Sequence, residues 1–469
     1  MEPKGVVMII HALGRSALAS PDRVQASIAL IVEEARRGPL LLVLSPLPGV
    51  PERLSLAADT VLDGGAVEPI LREVEESHFA VVRDTVDIKR QSGVIAGVRH
   101  RMNQIEDVLG GVGLLRELSP RTADMVAAHG RWLAAYVFSE GLKEHLPDVR
   151  LLDPRDLIVT DDRYGSAHVR FAESRERIRK ALSGASFCAV VPGSIGATAG
   201  GNATTLGRSG GKLSASVLAA AAGAAELVVW TESDGILTAD PKRVAAARPI
   251  ERMSYVEATE IMHFGGFLYP PALIPAMKHR VPIRVRNGSN PDFAGTLISA
   301  QCVEDRRFAG ISVMDDVALL LIQGSGMVGV TGVAMRLFGA LARAGVNVIL
   351  ISQASSEHSI CVGILAADSV RAQDAVTEEF KIELDEGLID DVTFEDRLSI
   401  VAVVGERMKR TMGLAAIIFG TLGDADVNVK AIAQGSSELN VSIVIDAADS
   451  SRALEALHAR LIENREDGR

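Results

Sequence analysis

The sequence predicts an α/β fold in which a mainly parallel sheet, with helices outside it, is followed by two smaller α/β sandwiches. Three observations predict this fold. Short apolar segments alternate with helical segments over the first ~300 residues, as in parallel sheets. The remainder contains one pattern of ~80 residues twice. The chain of 469 residues exceeds one ordinary domain, so we expect several.

The first elements predict a strand–helix–strand unit. Residues 5–10 (GVVMII) and 39–45 (PLLLVLS) have the apolar character of buried strands. Between them, residues 20–38 predict a helix with Ser20 as N-cap, Pro21 in its first turn and Gly38 as C-cap. The pattern recurs later, with predicted strands at 187–193, 226–231 and 282–287 and a small-residue helix at 214–225.

The repeat has a fixed offset of 81 residues. One copy begins at Gly324 and the other at Gly405, and each predicts the order strand, Gly turn, helix, strand, turn, strand, helix. The remaining matched pairs are Met327/Met408, Phe338/Phe419, Asn347/Asn428, Gln353/Gln434, Ser355/Ser436 and Glu357/Glu438. The Gly turns lead into helices whose N-termini attract carboxylates, so the copies suit small amino-acid ligands. A structural duplication without a ligand is the alternative.

Composition excludes several classes of protein. The net charge of −11, the absence of a basic block and an aromatic content of 4% argue against nucleic-acid binding. No apolar stretch is long enough to span a membrane, and the apolar run near the start is too short for a signal peptide. Cys188, Cys302 and Cys361 are too far apart for a metal-binding motif. We therefore expect a cytoplasmic protein with reduced thiols and no metal site.

Six segments and the repeat together resemble the aspartate kinases, which have an amino-acid-kinase domain followed by two ACT domains. The segments follow the family in order and spacing, and they are LLRELSPRTADMVAAHG (114–130), LLDPRDLIVTDD (151–162), TTLGRSGGKLSASVLAAA (204–221), WTESDGILTADPKRV (230–244), MSYVEATEIMHFGG (253–266) and PIRVRNGSNPDFAGTLIS (282–299). The stretches SGMVGVTGVAMRLF and VILISQASSEHSI are most similar to the threonine-sensitive type. No stretch here resembles the homoserine dehydrogenase domain of that type.

The resemblance implies a three-layer amino-acid-kinase sandwich at residues 1–300 and ferredoxin-like ACT domains at 301–390 and 391–469. It implies a reaction in which ATP, with Mg²⁺, phosphorylates the β-carboxylate of L-aspartate in lysine, threonine and methionine synthesis. It also implies a homodimer, or a higher oligomer, formed through the ACT domains, and an amino-acid effector bound there. The effector contacts expected are Met327, Asn347 and Gln353, with Asn428 and Gln434 in the second copy.

The phosphoryl-transfer motifs depart from the family. The opening Lys-Phe-Gly-Gly-Thr-Ser is here HALGRS (11–16), so His11 replaces a lysine that neutralises phosphate charge, while Gly14 and Ser16 remain. A neutral imidazole does not replace a fixed cation. The loop Gly-Arg-Gly-Gly-Ser-Asp is here GRSGGK (207–212), so Arg208 remains and Lys212 replaces the aspartate. This is no Walker loop, because it lacks the GxxxxGK[ST] spacing. Lys212 either contacts phosphate in place of the lost lysine or has another role.

The substrate motifs depart as well. In SPLPGV (45–50) Ser45 remains, but Pro46 and Pro48 remove backbone N–H donors. Arg131 replaces the glutamate that receives the substrate ammonium, and a guanidinium cannot accept a hydrogen bond. A solvent-facing Arg131 is the alternative.

The nucleotide motifs are mixed. Thr231 and Asp234 remain in TESDG, Glu232 conservatively replaces an aspartate and Lys242 replaces an arginine. Gly266 replaces a nucleotide-contacting lysine. ATP binding is therefore in question.

These replacements move positive charge from the phosphoryl path toward the substrate side and favour a more anionic ligand without an ammonium group. The sequence predicts a diverged aspartate kinase homologue with a different anionic substrate, such as a dicarboxylate. Drift in an inactive site, a non-catalytic protein that senses an amino acid through its ACT pair, and an active aspartate kinase are the alternatives.

Overall fold

The computed structural model describes residues 8–265, 269–300, 306–327, 330–353, 358–435 and 439–463. The chain divides into two compact units. The first comprises Met1–Ile236, Glu251–Tyr255 and Tyr269–Cys302, and the second comprises Leu237–Ile250, Val256–Leu268 and Val303–Arg469. Among the helices that the structure describes, none is long and apolar enough to cross a membrane.

The first unit is built on a mainly parallel sheet. Its strands are β1 (Ile9–Leu13), β2 (Leu40–Leu44), β3 (Val149–Leu151), β5 (Cys188–Pro192), β8 (Glu226–Thr231), β9 (Arg252–Ser254), β10 (Ile283–Asn287) and β11 (Thr296–Ser299). They lie in the order β3-β5-β2-β1-β8-β10-β11-β9, and the β10–β11 pair alone is antiparallel. A smaller sheet contains β4 (Val159–Thr160), β6 (Ile195–Thr198) and β7 (Ala203–Thr205).

Helices cover the large sheet. They are α1 (Pro21–Ala35), α2 (Val50–Leu62), α3 (Glu68–Thr85), α4 (Ile88–Leu115), α5 (Pro120–Leu142), α6 (Pro154–Leu157), α7 (Phe171–Ala181), α8 (Gly210–Ala222) and α10 (Ile274–Lys278). Side chains of α1 to α5 form one core with one face of β1, β2 and β8. Helix α8 packs on β1 and β2 as well as on α7 and α10. The predicted mainly parallel sheet with outer helices is confirmed.

Helix α1 shows how the sequence sets a helix start. The Ser20 hydroxyl accepts a hydrogen bond of 3.3 Å from the backbone N–H of Arg23, and Pro21 follows in the first turn, as predicted. The predicted end was wrong. The helix ends at Ala35 and Arg36 caps it, because tighter hydrogen bonds close the last turn before Gly38 is reached.

The second unit contains the repeat as one antiparallel sheet. Its strands are β12 (Gly310–Gln323), β13 (Leu350–Gln353), β14 (Ser359–Leu365), β15 (Asp391–Val404), β16 (Val429–Ala433) and β17 (Asn440–Asp446), in the order β13-β14-β12-β15-β17-β16. Its helices are α9 (Tyr255–Gly265), α11 (Val333–Arg343), α12 (Ser369–Glu379), α13 (Lys381–Asp385), α14 (Leu414–Asp424) and α15 (Ser450–His458). Each copy has the predicted order of elements, and β12 and β15 join the copies side by side.

Candidate functional site

The carboxyl ends of β1, β2 and β5 meet at one edge of the large sheet. The backbone N–H of Ser45 donates to the Leu13 carbonyl at 3.1 Å, and that of Gly193 donates to the Leu44 carbonyl at 2.8 Å. The residues that follow three neighbouring strands are therefore held together. Ligands of open α/β sheets bind beyond the carboxyl ends of the strands.

The N-terminus of α8 packs closely on this edge. A Cβ on Gly193 would lie 2.9 Å from the Cα of Gly211, and a Cβ on Gly211 would lie 3.3 Å from the Ser45 hydroxyl oxygen. A Cβ on Gly210 would lie 2.1 Å from the Ser194 hydroxyl oxygen. Glycine at these positions lets the helix N-terminus, which favours anions, approach the loops after β2 and β5.

The residue before α8 determines where that helix begins. Ser209 has φ of +55°, which an L-residue rarely adopts, and the helix starts at the next residue. The predicted helix over 214–225 therefore starts four residues too late. The observed helix ends at Ala222, because Gly223 takes a left-handed conformation. The earlier start places Lys212 in the first turn of α8.

Lys212 is a half-buried cation on this helix turn. Burial lowers the pKa of its ammonium, and no carboxylate of the described residues counters that effect. Arg208 is exposed, and its guanidinium carbon lies 5.2 Å from the ring centroid of Tyr269. Both basic residues of the GRSGGK stretch thus lie near the carboxyl edge of the sheet, as cations without a described acidic partner.

His11 lies inside the sheet rather than at its edge. It is in β1, 1% exposed, and its Nδ1 accepts a hydrogen bond of 3.1 Å from the indole N–H of Trp230. Burial, with the positive charges of Arg286 and Arg37, lowers the pKa of His11 to about 3. The imidazole is therefore neutral at pH 7, and position 11 supplies no positive charge to a phosphate.

The two family residues that remain after β1 lie at the strand end. Gly14 would place a Cβ 3.9 Å from the Trp230 carbonyl oxygen, so ordinary packing surrounds it. Ser16 lines a small cavity with Thr231 and Glu232. Arg15, between them, forms an ion pair of 2.9 Å with Glu52.

Arg131 lies on α5 with its guanidinium partly buried. Its Nη1 donates to the Ala127 carbonyl at 3.0 Å, while its Nε is buried and has no hydrogen-bond partner among the residues that the structure describes. Burial lowers its pKa, the negative charge of Asp124 raises it and the positive charge of Arg15 lowers it. Arg131 therefore does not point into solvent, and an unpaired donor remains in the interior.

Asp124 is a site residue that the sequence interpretation did not single out. Its carboxylate is 4% exposed and accepts from the backbone N–H of Thr205 at 2.8 Å, from the Thr205 hydroxyl at 2.6 Å and from the Gly165 N–H at 2.9 Å. It thereby fixes the stretch that leads into Gly207 and Arg208. One sequence feature could have identified Asp124. It lies seven residues before Arg131, which places the two residues two turns apart on the same face of one helix.

The nucleotide motif forms a tight loop after β8. The Thr231 hydroxyl donates to backbone carbonyls of Ser233 and Arg286, and the Asp234 carboxylate accepts from the amides of Asn287 at 2.8 Å and Asn290 at 3.1 Å. Glu232 is exposed beside them. This loop could hold a nucleoside, since it forms part of the lining of the small cavity at the end of β8.

The sequence analysis named two other positions for the nucleotide, Lys242 and Gly266. Lys242 is exposed and belongs to the second unit, where its backbone N–H donates to Asp240. Gly266 lies outside the described residues.

The predicted effector residues occupy matched places in the two copies. Met327 is 4% exposed within the hydrophobic core of the first copy, and Met408 is similarly buried in the second. The polar candidates are all exposed, and they are Asn347, Gln353, Asn428 and Gln434. Of the other pairs, Ser355, Glu357, Ser436 and Glu438 lie outside the described residues, as does Cys302.

Comparisons with known proteins agree with this architecture. The sequence model of the amino acid kinase family matches residues 8–287, and a model of the ACT domain matches residues 320–380 and 401–461. The chain is 31% identical over 475 residues to a chloroplastic bifunctional aspartokinase/homoserine dehydrogenase of Daucus carota, covering 99% of this chain and 52% of the relative. It therefore spans about half the length of the curated relatives that match it first.

Solved structures of Escherichia coli aspartokinase III also match. One is in complex with lysine and aspartate (T-state) and the other with aspartate and ADP (R-state), each with a TM-score of 0.79 and 25% identity, covering 97% of this chain and 99% of that chain. The lysine-sensitive aspartokinase 3 of Escherichia coli is 27% identical over 471 residues, covering 97% of this chain and 99% of its own. With the fold, the duplicated domain and these matches in agreement, the chain belongs to the amino acid kinase family, carries two ACT domains and has aspartokinases as its relatives.

Proposed function

We propose that this protein is a diverged aspartokinase homologue whose site takes a small anion without an ammonium group, such as a dicarboxylate, in place of L-aspartate. The reaction of its relatives by name is aspartate phosphorylation. In this protein the small anion would take the place of L-aspartate and would receive the phosphoryl group on one of its carboxylates. We further propose the domain boundaries 1–300, 301–390 and 391–469.

The observation that carries the proposal is the buried Nε of Arg131, which is unpaired among the described parts of the chain. A buried donor without a partner costs free energy, and a bound carboxylate would satisfy it with a charge-assisted hydrogen bond. The same position would repel the ammonium of an ordinary amino acid. Lys212 adds a second half-buried cation at the N-terminus of α8.

The residues of the candidate site would fit the nucleoside and phosphates of a nucleotide, except at His11. When bound, ATP with Mg²⁺ would supply the phosphoryl group, and one relative's structure contains ADP. Thr231, Glu232 and Ser16 would face its nucleoside, and Lys212 with the α8 N–H groups would face its phosphates. Neutral His11 provides no charge there.

A non-catalytic sensor is the second candidate. It is favoured by the two complete ACT copies and by the relative whose structure contains lysine. Exposed Ile351 and Ile432 occupy matched positions in β13 and β16, and we propose that the ACT domains pair two chains through such apolar surfaces. An active aspartate kinase is the third candidate.

An ATP-coupled hydroxamate assay with L-aspartate and with succinate separates these candidates. We expect no turnover of L-aspartate and, with succinate, both turnover and stabilisation in a thermal-shift assay. Turnover of L-aspartate at about 1–100 s⁻¹ would show an ordinary aspartate kinase. No response to nucleotide or succinate, with stabilisation by threonine or lysine, would favour the sensor.

Variants at Arg131 and at a surface arginine sharpen the test. Arg131→Gln should lower kcat/KM for succinate by about tenfold or more, because a charge-assisted hydrogen bond is lost. Arg83→Gln is the control, since Arg83 pairs with Glu76 on the surface of α3. Equal kcat/KM for succinate in both variants would contradict the role of Arg131.

A further inference from the structure

We infer that the first unit carries a second small-molecule site, a cavity between α4, α5, α6 and the β6–β7 hairpin that binds a compact dianion. We call it the arginine cavity. Its volume is about 160 Å³, and its lining includes Arg101, Arg121, His129, Trp132, Arg155 and Asn202. A cavity of this size holds several waters, and it lies below the range of most drug-sized ligand pockets, so a compact metabolite fits better than a larger ligand.

The arginine cavity is distinct from the candidate active site. On α5, His129 and Trp132 line the cavity, whereas Asp124 and Arg131 lie on another face of the same helix. The β6–β7 hairpin is shared in the same way, since Asn202 lines the cavity while Thr205 bonds to Asp124. The two sites are therefore separated by one helix and one hairpin.

The charges lining the cavity are mainly positive. Among the described residues of the lining, Asp153 is the one that is acidic. It is already engaged by Arg155, with Nε–Oδ1 at 3.0 Å and Nη2–Oδ2 at 2.6 Å, and by the first turn of α6. Arg101 and Arg121 form no ion pair within 4.0 Å with any carboxylate that the structure describes. Two positive charges therefore remain uncompensated, which matches a ligand with two negative charges.

Arg101 is held in place for such a ligand. Its guanidinium carbon lies 3.9 Å from the ring centroid of Trp132, and Trp132 in turn stacks on Tyr136 at 4.9 Å. Its Nη1 donates to Nδ1 of His129 at 3.2 Å. Because arginine only donates, His129 is an acceptor at Nδ1, and burial beside Arg101 lowers its pKa to about 4.

The fixed positions of Arg101 and His129 have two consequences for anion binding. Neutral His129 carries its proton on Nε2 and so is one more donor. Arg101, stacked on a flat ring, loses little freedom when it binds an anion, and its remaining N–H groups match the fork of a carboxylate or phosphate. Dicarboxylates and phosphomonoesters share this chemistry.

Isothermal titration calorimetry at pH 7 with succinate and with inorganic phosphate tests the site. We expect at least one probe to bind the full chain and to bind still in Arg131→Gln, and we expect Arg121→Gln or Arg101→Gln, added to Arg131→Gln, to weaken that binding about tenfold or more. Arg99→Gln is the matched control, since Arg99 is exposed on the same helix and stacks on Phe79 outside the cavity. In Arg131→Gln, binding of succinate alone indicates a dicarboxylate in the cavity, and binding of phosphate alone indicates a phosphomonoester.

Three results would overturn the inference. The first is that neither probe binds at concentrations up to about 10 mM, which corresponds to an affinity far weaker than that of metabolite sites. The second is unchanged binding in the Arg101→Gln/Arg121→Gln double variant. The third is loss of all binding in Arg131→Gln. The last result would place the anion at the candidate active site. Arg121 is exposed, so its variant remains informative even if Arg101→Gln fails to fold.

Discussion

Three histidines of the first unit are held in the neutral form. Burial lowers the pKa of His11 to about 3, and that of His78 and of His129 to about 4. The side chain of His78 is 0% exposed and bonds to the Val74 carbonyl at 2.7 Å. In the unfolded chain such groups titrate near ~6.5, so folding releases protons from them at mildly acidic pH.

His11 therefore makes stability depend on pH in one direction. The contribution of neutral His11 to the free energy of unfolding is fully present above about pH 6.5. It is lost as the pH falls toward about 3, at up to about 1.4 kcal/mol per pH unit, because only the unfolded chain gains the proton in this range. His11→Gln can keep the bond from Trp230 and has no proton to gain, so urea denaturation between pH 7 and 5 should show a shallower loss of unfolding free energy. The exposed His145→Gln is the control. Parallel curves for His11→Gln and the parent chain would disprove the buried, neutral state.

At the scale of elements, close packing between β5 and α8 shapes the candidate site. Gly193 has the Leu44 carbonyl oxygen 2.8 Å and the Gly211 Cα 2.9 Å from the place of a Cβ, and both are backbone atoms that cannot move aside cheaply. Gly193→Ala should therefore destabilise the chain by roughly 1–3 kcal/mol and push the N-terminus of α8 away from the end of β5. Thermal denaturation measures the first effect, and kcat/KM for succinate measures the second.

The control for Gly193→Ala lies on an exposed face. Gly110 in α4 has nothing within 4 Å of a Cβ, so Gly110→Ala should stabilise the chain by about 0.5–1 kcal/mol through helix propensity. If both alanines have the same effect, the approach of α8 to β5 does not depend on glycine.

The sequence predicted elements better than their ends. The strand at 226–231 is β8 residue for residue, because its apolar run is bounded by polar residues. The start of α8 was missed since it depends on the left-handed Ser209, which no local pattern marks. His11 was correctly predicted to be neutral, but its bond to Trp230 joins residues 219 positions apart. The arginine cavity, too, collects residues from distant segments, so spacing could not reveal it.

On the scale of the whole molecule, the two ACT copies share one sheet. Strands β12 and β15 pair along nearly their full lengths, from Gly310↔Val404 to Gln323↔Asp391. A shared hydrophobic cluster contains Leu319 and Leu350 from the first copy with Leu398 and Val444 from the second. The copies are thus joined by backbone hydrogen bonds and by a common core, so we expect them to unfold together.

Leu398→Ala tests this cooperativity. Leu398 is 0% exposed in the shared cluster, so its truncation should cost about 2–5 kcal/mol. Because the cluster joins both copies, amide hydrogen exchange should accelerate in β14 as well as in β17. Ile382→Ala is the matched control, since Ile382 is 69% exposed in α13 and its loss should change stability by less than about 0.5 kcal/mol. Faster exchange confined to β15, β16 and β17 would show that each copy folds as a separate unit, and the shared sheet would then not couple effector binding in one copy to the other.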